Sequence, residues 1–141
     1  MIKRIFLVDT NVFVAGLITS ERQAPTALIV DVMLSGRMVF LLSPKLLDEY
    51  RHVLQRPAIA NLHGLSHAQI ELILVETTAN AIWREPRPDK AYVCPDLGVA
   101  QLWDLLASEP SAVLITGDRL LIDNPRPGTS VITPSAWRDQ F

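Results

Sequence analysis

The stretch Arg4-Ile5-Phe6-Leu7-Val8-Asp9-Thr10-Asn11-Val12 decides how the rest of the chain is read. Residues 4–8 form a strand-length apolar run without polar alternation, the signature of a strand covered on both faces. The run ends on an aspartate. A second run of the same kind, Val113-Leu114-Ile115, passes through Thr116-Gly117 to Asp118. In an open α/β sheet the carboxyl ends of the strands line the ligand crevice, so two acids far apart in sequence can meet there.

Working outward, residues 25–36 read as a helix, with Leu28, Ile29, Val32 and Met33 on one stripe and Gly36 as its C-cap. Residues 38–42 are a short strand. Ser43-Pro44 opens the next helix, Ser at the N-cap and Pro at the first helical position, and Pro57 stops it after Arg56. Ser66 and Gln69 spell a capping box, with Leu65 and Ile70 as a hydrophobic staple, and Ile70, Ile73, Leu74 and Ala81 continue the buried face. Residues 83–95 look like a loop, residues 99–108 a helix, residues 123–128 a Pro/Gly turn, and Val131-Ile132 a last short strand. Strands alternating with helices predict a parallel sheet covered on both faces.

The chain has 141 residues, 49% of them hydrophobic, which suits one domain spanning 1–141 with a core of its own. No apolar run approaches the ~18 residues of a membrane span. The opening MIKRIFLVDTNVFVAGLIT begins basic and apolar, but Asp9, Thr10 and Asn11 interrupt it and no small-residue cleavage site follows, so a secretory leader is not expected. Cys94 is the single cysteine, which excludes an internal disulfide and a cysteine-rich zinc site and agrees with a cytoplasmic location. Thirteen Lys and Arg against fifteen Asp and Glu give a net charge of −2, with no general excess of positive charge for nucleic acid. No Walker loop or dinucleotide fingerprint is present.

Convergent carboxylates repel one another and raise each other's pKa unless positive charge lies between them. A hard divalent cation such as Mg²⁺ or Mn²⁺ resolves that conflict and prefers oxygen ligands. With Asp9 and Asp118 at strand ends and Glu49 midway along a packed helix, metal-assisted phosphodiester hydrolysis is the chemistry this pattern offers. Each acid also has a plainer reading: Asp9 and Asp118 as turn residues, Glu49 as a solvated helix acid, Asn11 as an Asx turn or as a seat for Asp9. Thr10 and Thr116 are placed to bond a water, a phosphate or a neighbouring aspartate, and Arg119 to face phosphate. His52, His63 and His67 show no metal-ligand spacing.

Taken together these segments resemble the PIN-domain family. Phe6-Leu7-Val8-Asp9-Thr10-Asn11-Val12 looks like its opening signature. Ser43-Pro44-Lys45-Leu46-Leu47-Asp48-Glu49-Tyr50 looks like its second element, with Glu49 at the metal-associated glutamate, and Val113-Leu114-Ile115-Thr116-Gly117-Asp118 like its third. Val131-Ile132-Thr133-Pro134 is similar to the terminal strand and turn of the toxin branch. The resemblance implies a three-layer α/β/α fold with a central parallel sheet ordered 3-2-1-4-5. It further implies a Mg²⁺- or Mn²⁺-dependent endoribonuclease acting on RNA, a homodimer, and a small antitoxin protein as partner. Its metal set carries over to Asp9, Glu49 and Asp118. The family's remaining aspartate falls on Val99, which cannot ligate a cation, and Asp96 three residues earlier is either a substitute ligand or an N-cap. Leu120 stands where this branch often has another acid. These departures keep two alternatives open: a catalytically weak or silent PIN fold that binds RNA or protein, and a DNA nuclease using the same site.

Overall fold

The strand β1 (Ile5–Val8) lies at the centre of a five-stranded parallel sheet in the computed structural model, which describes residues 4–141. Lys3, part of the basic start weighed above as a leader, lies outside the described residues. The other strands are β2 (Val39–Leu42), β3 (Ile82–Trp83), β4 (Val113–Ile115) and β5 (Ser130–Ile132), in the spatial order β3-β2-β1-β4-β5. The register sets Phe6 beside both Phe40 and Val113, and Val8 beside Ile115. The expected order 3-2-1-4-5 and the three-layer α/β/α architecture are therefore found. With β2 and β4 on opposite sides of β1, the chain leaves β1 in one direction and returns on the other, which opens a crevice beyond the carboxyl ends of β1 and β4.

Helices α1 (Thr10–Ile18), α2 (Pro25–Leu34), α3 (Pro44–Leu54), α4 (Pro57–His63), α5 (His67–Asn80), α6 (Ala100–Ser108), α7 (Arg119–Asp123) and α8 (Pro134–Gln140) cover the sheet. Leu7, Val8, Leu114 and Ile115 are completely buried beneath them, each contributing roughly 1.5–3 kcal/mol of hydrophobic stabilisation. The predicted caps form as read. The Ser43 hydroxyl accepts from Leu46 N–H at 3.1 Å, and Ser66 and Gln69 close both halves of their capping box. Gly36 follows α2 at φ +76°, the left-handed geometry that glycine tolerates.

Five helices and strands escaped the sequence reading: α1, α4, β3, α7 and α8. α1 is apolar nearly all round, so it has no amphipathic stripe to announce it. It lies so close to α2 that a Cβ on Gly16 would collide with the Thr26 carbonyl and the Val30 side chain. Pro57 does stop α3, but it also starts α4, because proline suits the first helical position and holds Arg56 extended before it. β3 is only two residues long, too short for any pattern, and takes Trp83 out of the expected loop by pairing it with Leu42. At the far end, Thr133-Pro134 is the N-cap and first residue of α8 rather than a terminal turn, the Thr133 hydroxyl accepting from Ala136 N–H at 3.1 Å.

Candidate active site

The sheet ladder carries β1 one residue past its end: Asp9 N–H donates to the Ile115 carbonyl at 3.0 Å. Asp9 is thereby fixed between β1 and the first turn of α1, with 2% of its surface exposed. Burial is the main cause that raises its pKa. A hydrogen bond from the Thr116 hydroxyl and one from the Thr10 backbone pull it down, and the Glu49 and Asp118 carboxylates push it up again. The Thr116 bond is 2.7 Å long, and the same hydroxyl oxygen accepts from Asp118 N–H at 3.0 Å. Its proton is thus committed to Asp9. One buried threonine ties the end of β1 to the turn that bears Asp118.

Glu49 enters from α3. Tyr50 anchors that helix by donating its hydroxyl to the Val8 carbonyl and stacking on Phe13 with 4.3 Å between ring centroids. Burial first, then the Asp9 and Glu49 charges, hold the phenol pKa well above its ordinary value, so Tyr50 serves as a neutral strut. Glu49 Oε2 accepts from Gln101 Nε2 on α6, while Gln101 Oε1 is buried and has no partner. Sequence reasoning missed Gln101. A single amide in a helix carries no motif, and only the packing of α6 beside α3 gives it a role.

Asp118 caps α7, accepting from Leu120 N–H at 2.9 Å, and Asp96 caps a 3₁₀ turn at Leu97–Val99, accepting from Gly98 N–H at 3.0 Å. Asp96 is the N-cap that the sequence allowed, and its carboxyl lies near that of Asp118. The neighbouring Asp96 carboxyl is the leading cause that raises the Asp118 pKa, followed by burial. Val99 packs against the hydrophobic core at the N-cap of α6. Cys94 is a buried structural thiol that donates to the Asp96 carbonyl at 3.1 Å, and burial raises its pKa.

The supporting candidates divide. Thr10 is 2% exposed and its hydroxyl lacks a partner, whereas Asn11 is exposed and makes no side-chain hydrogen bond among the described residues, so it does not seat Asp9. Arg119 is exposed and pairs with Asp123 at 3.3 Å. His63 is structural, its Nδ1 accepting from Leu65 N–H and its Nε2 donating to the Leu54 carbonyl.

None of Asp9, Glu49, Asp96 and Asp118 takes an Arg or Lys salt-bridge partner among the described residues. Nor do three His, Cys, Asp or Glu side chains there form a ready-made cation cage. The donor set is all oxygen and mutually repelling, and the Thr10 hydroxyl is orphaned beside it. That chemistry fits a hard cation such as Mg²⁺, which keeps several waters and needs only one or two direct carboxylates.

Residues 5–120 match the family profile described as PIN domain. The chain belongs to the PIN-domain family. The matched span contains β1 to β4 and all four acids of the crevice. Searches of curated proteins and of solved structures return no match. No helix of the described residues is long and apolar enough to cross a membrane.

Proposed function

We propose that this PIN domain is a Mg²⁺- or Mn²⁺-dependent endoribonuclease and the toxin component of a toxin–antitoxin pair. The observation that carries the hydrolase reading is the set of four carboxyls at one sheet edge without an Arg or Lys ion-pair partner among the described residues, Asp9 raised by burial with smaller contributions from Glu49 and Asp118, and Asp118 raised by Asp96 and burial. Asp9 would hold the principal cation, Glu49 and Asp118 would hold it directly or through water, and Asp96 would stand behind Asp118. When bound, such an ion supplies the positive charge the acids lack and the acidity that makes a water nucleophilic at neutral pH.

The chain's own residues do the positioning. Thr116 fixes the rotamer of Asp9, Tyr50 fixes the helix that presents Glu49, and Gln101 holds the Glu49 carboxylate. RNA as the substrate, the antitoxin partner and the homodimer follow from the family resemblance. Exposed Leu62 on α4 and Leu72 and Val75 on α5 offer apolar surface for such contacts. The displaced fourth acid, with valine at position 99, favours one second reading: a silent PIN module that binds RNA without cutting it.

The test is cleavage of a labelled RNA panel by contaminant-free protein with Mn²⁺, with Mg²⁺ and with chelator. The nuclease reading requires cleavage that disappears with chelator. Retention of RNA without cleavage under every metal condition selects the silent module.

A further inference from the structure

A cleft of about 400 Å³ opens beside the acids, between the start of α3, the loop after β3 and one face of α6. That size falls within the about 300–1,000 Å³ typical of small-ligand pockets. Its lining includes Pro44, Lys45, Pro86, Pro88 and Gln101, together with the acids Glu85 and Asp104. We infer that this cleft is a nucleobase subsite that accepts a base bearing an exocyclic amino group (adenine, cytosine or guanine) and disfavours uracil. The inference rests on the RNA-cleaving reading and names the part of the substrate that sets its preference.

The orphaned Gln101 oxygen is the starting point. The Gln101 amide turns its NH₂ toward Glu49 Oε2, which leaves its carbonyl oxygen facing away from that carboxyl. That oxygen is buried and meets no donor, a situation that a ligand N–H would relieve. Asp104 stands one helical turn further along α6. One of its oxygens accepts from Asp89 N–H at 2.6 Å, and the other receives no donor among the described residues. Gln101 and Asp104 both line the cleft, so its α6 wall carries acceptors, of which the Gln101 oxygen is covered and becomes reachable by a small shift of the side chain. Pro86 and Pro88 supply apolar surface from the facing loop for a base to lie against. Lys45 forms no ion pair among the described residues, which leaves its ammonium for a phosphate.

An exocyclic amine meets these acceptors with N–H donors. Uracil flanks its one N–H with two carbonyl oxygens, which the Gln101 and Asp104 oxygens repel. Gln101 also joins the cleft to the crevice: a base donating to its oxygen fixes the amide that holds Glu49. Filling the cleft and setting the acid site are one event.

Titration of metal-free protein with AMP, CMP, GMP and UMP, followed by NMR of backbone and Gln side-chain amides, reads this directly. The three amino-bearing nucleotides should shift the Gln101 side-chain NH₂ and amides of residues 85–104, with UMP weaker by at least about tenfold, the effect of one discriminating hydrogen bond. Asp104→Asn keeps an acceptor for Asp89 N–H and offers a donor to the cleft, so it should shrink the preference against UMP. Equal affinities for all four nucleotides, shifts confined to other surfaces, or no shift with any of them would overturn the subsite. Because the titration needs no turnover, an inactive protein leaves it readable. Metal-dependent cleavage that ignores base identity would remove the subsite and spare the nuclease.

Discussion

The two halves of the acid crevice are built differently. Asp9 and Thr116 belong to the sheet: both are buried, both extend strand hydrogen bonding, and Asp9 cannot move without breaking the ladder to Ile115. Asp96 and Asp118 sit half-buried on a 3₁₀ turn and at the cap of a five-residue helix, held by Asx-type bonds to Gly98 and Leu120. The contrast teaches that one half of the site is rigid at a cost in burial, while the other is adjustable and is placed chiefly by local turn chemistry. Substitutions in the first half should therefore cost more than those in the second.

The largest effect is expected from Asp9→Asn. It should lower metal-dependent RNA cleavage by at least about a hundredfold, the scale on which a lost charge-stabilising group acts, while the fold is kept and the melting temperature in chelator rises. Kinetics and melting of the same preparation check both halves of that statement. Thr116→Val should come next. It keeps the volume and removes the hydroxyl that donates to Asp9 and accepts from Asp118 N–H, so stability should fall by about 1–3 kcal/mol and cleavage by about 10–100-fold, read by denaturant unfolding and initial rates.

Asp96→Asn should do less. Asparagine still accepts from Gly98 N–H, the like charge beside Asp118 disappears, and the Asp118 pKa should drop toward its ordinary value, visible by carboxyl-carbon NMR. Cleavage falling by only about tenfold would match the loss of a ligand at one remove. Val99→Asp should not rebuild the site, because Val99 packs on the core: about 1–3 kcal/mol of stability should be lost for placing a polar group there, with no gain in metal affinity.

The smallest effect concerns pH. Asp9 is raised above 3.8 by burial, so between the unfolded value and the higher folded one the native state holds a proton that the unfolded chain releases. Stability from this residue is present below about pH 4 and declines as pH rises through the folded pKa. Asp89 runs the opposite way, its pKa lowered by Arg126 at 3.0 Å, so the absolute pH profile mixes the two signs. The difference between wild type and Asp9→Asn in chelator isolates Asp9, and the advantage of the asparagine variant should grow from pH 4 upward. A difference that stays flat with pH would mean that Asp9 carries no raised pKa.

Legibility followed the same division. β1, β4 and the strand-end acids were readable because long apolar runs and their terminal residues are local signals, and Ser43, Ser66 and Gln69 announced their caps by type and spacing. The strand order was legible only through family resemblance, since a two-residue β3 leaves no pattern. α1 was hidden by having too many apolar residues. Asp96 could be placed near a helix start but not opposite Asp118, because that meeting depends on how residues 84–96 cross the sheet edge. Gln101 and the unpartnered oxygen it carries were invisible, being products of α6 packing against α3 rather than of any sequence motif.

The central claim is that Asp9, Glu49, Asp96 and Asp118 form one divalent-cation site. Calorimetric titration of Mn²⁺ into wild type and Asp9→Asn at neutral pH tests it most directly. The account predicts a saturable site in the wild type that is lost or weakened at least about tenfold in the variant, together with proton release on binding that falls at higher pH as the acids are already ionised. Binding of equal strength in both proteins would place the cation elsewhere, and the absence of any saturable site in the folded wild type would contradict the claim.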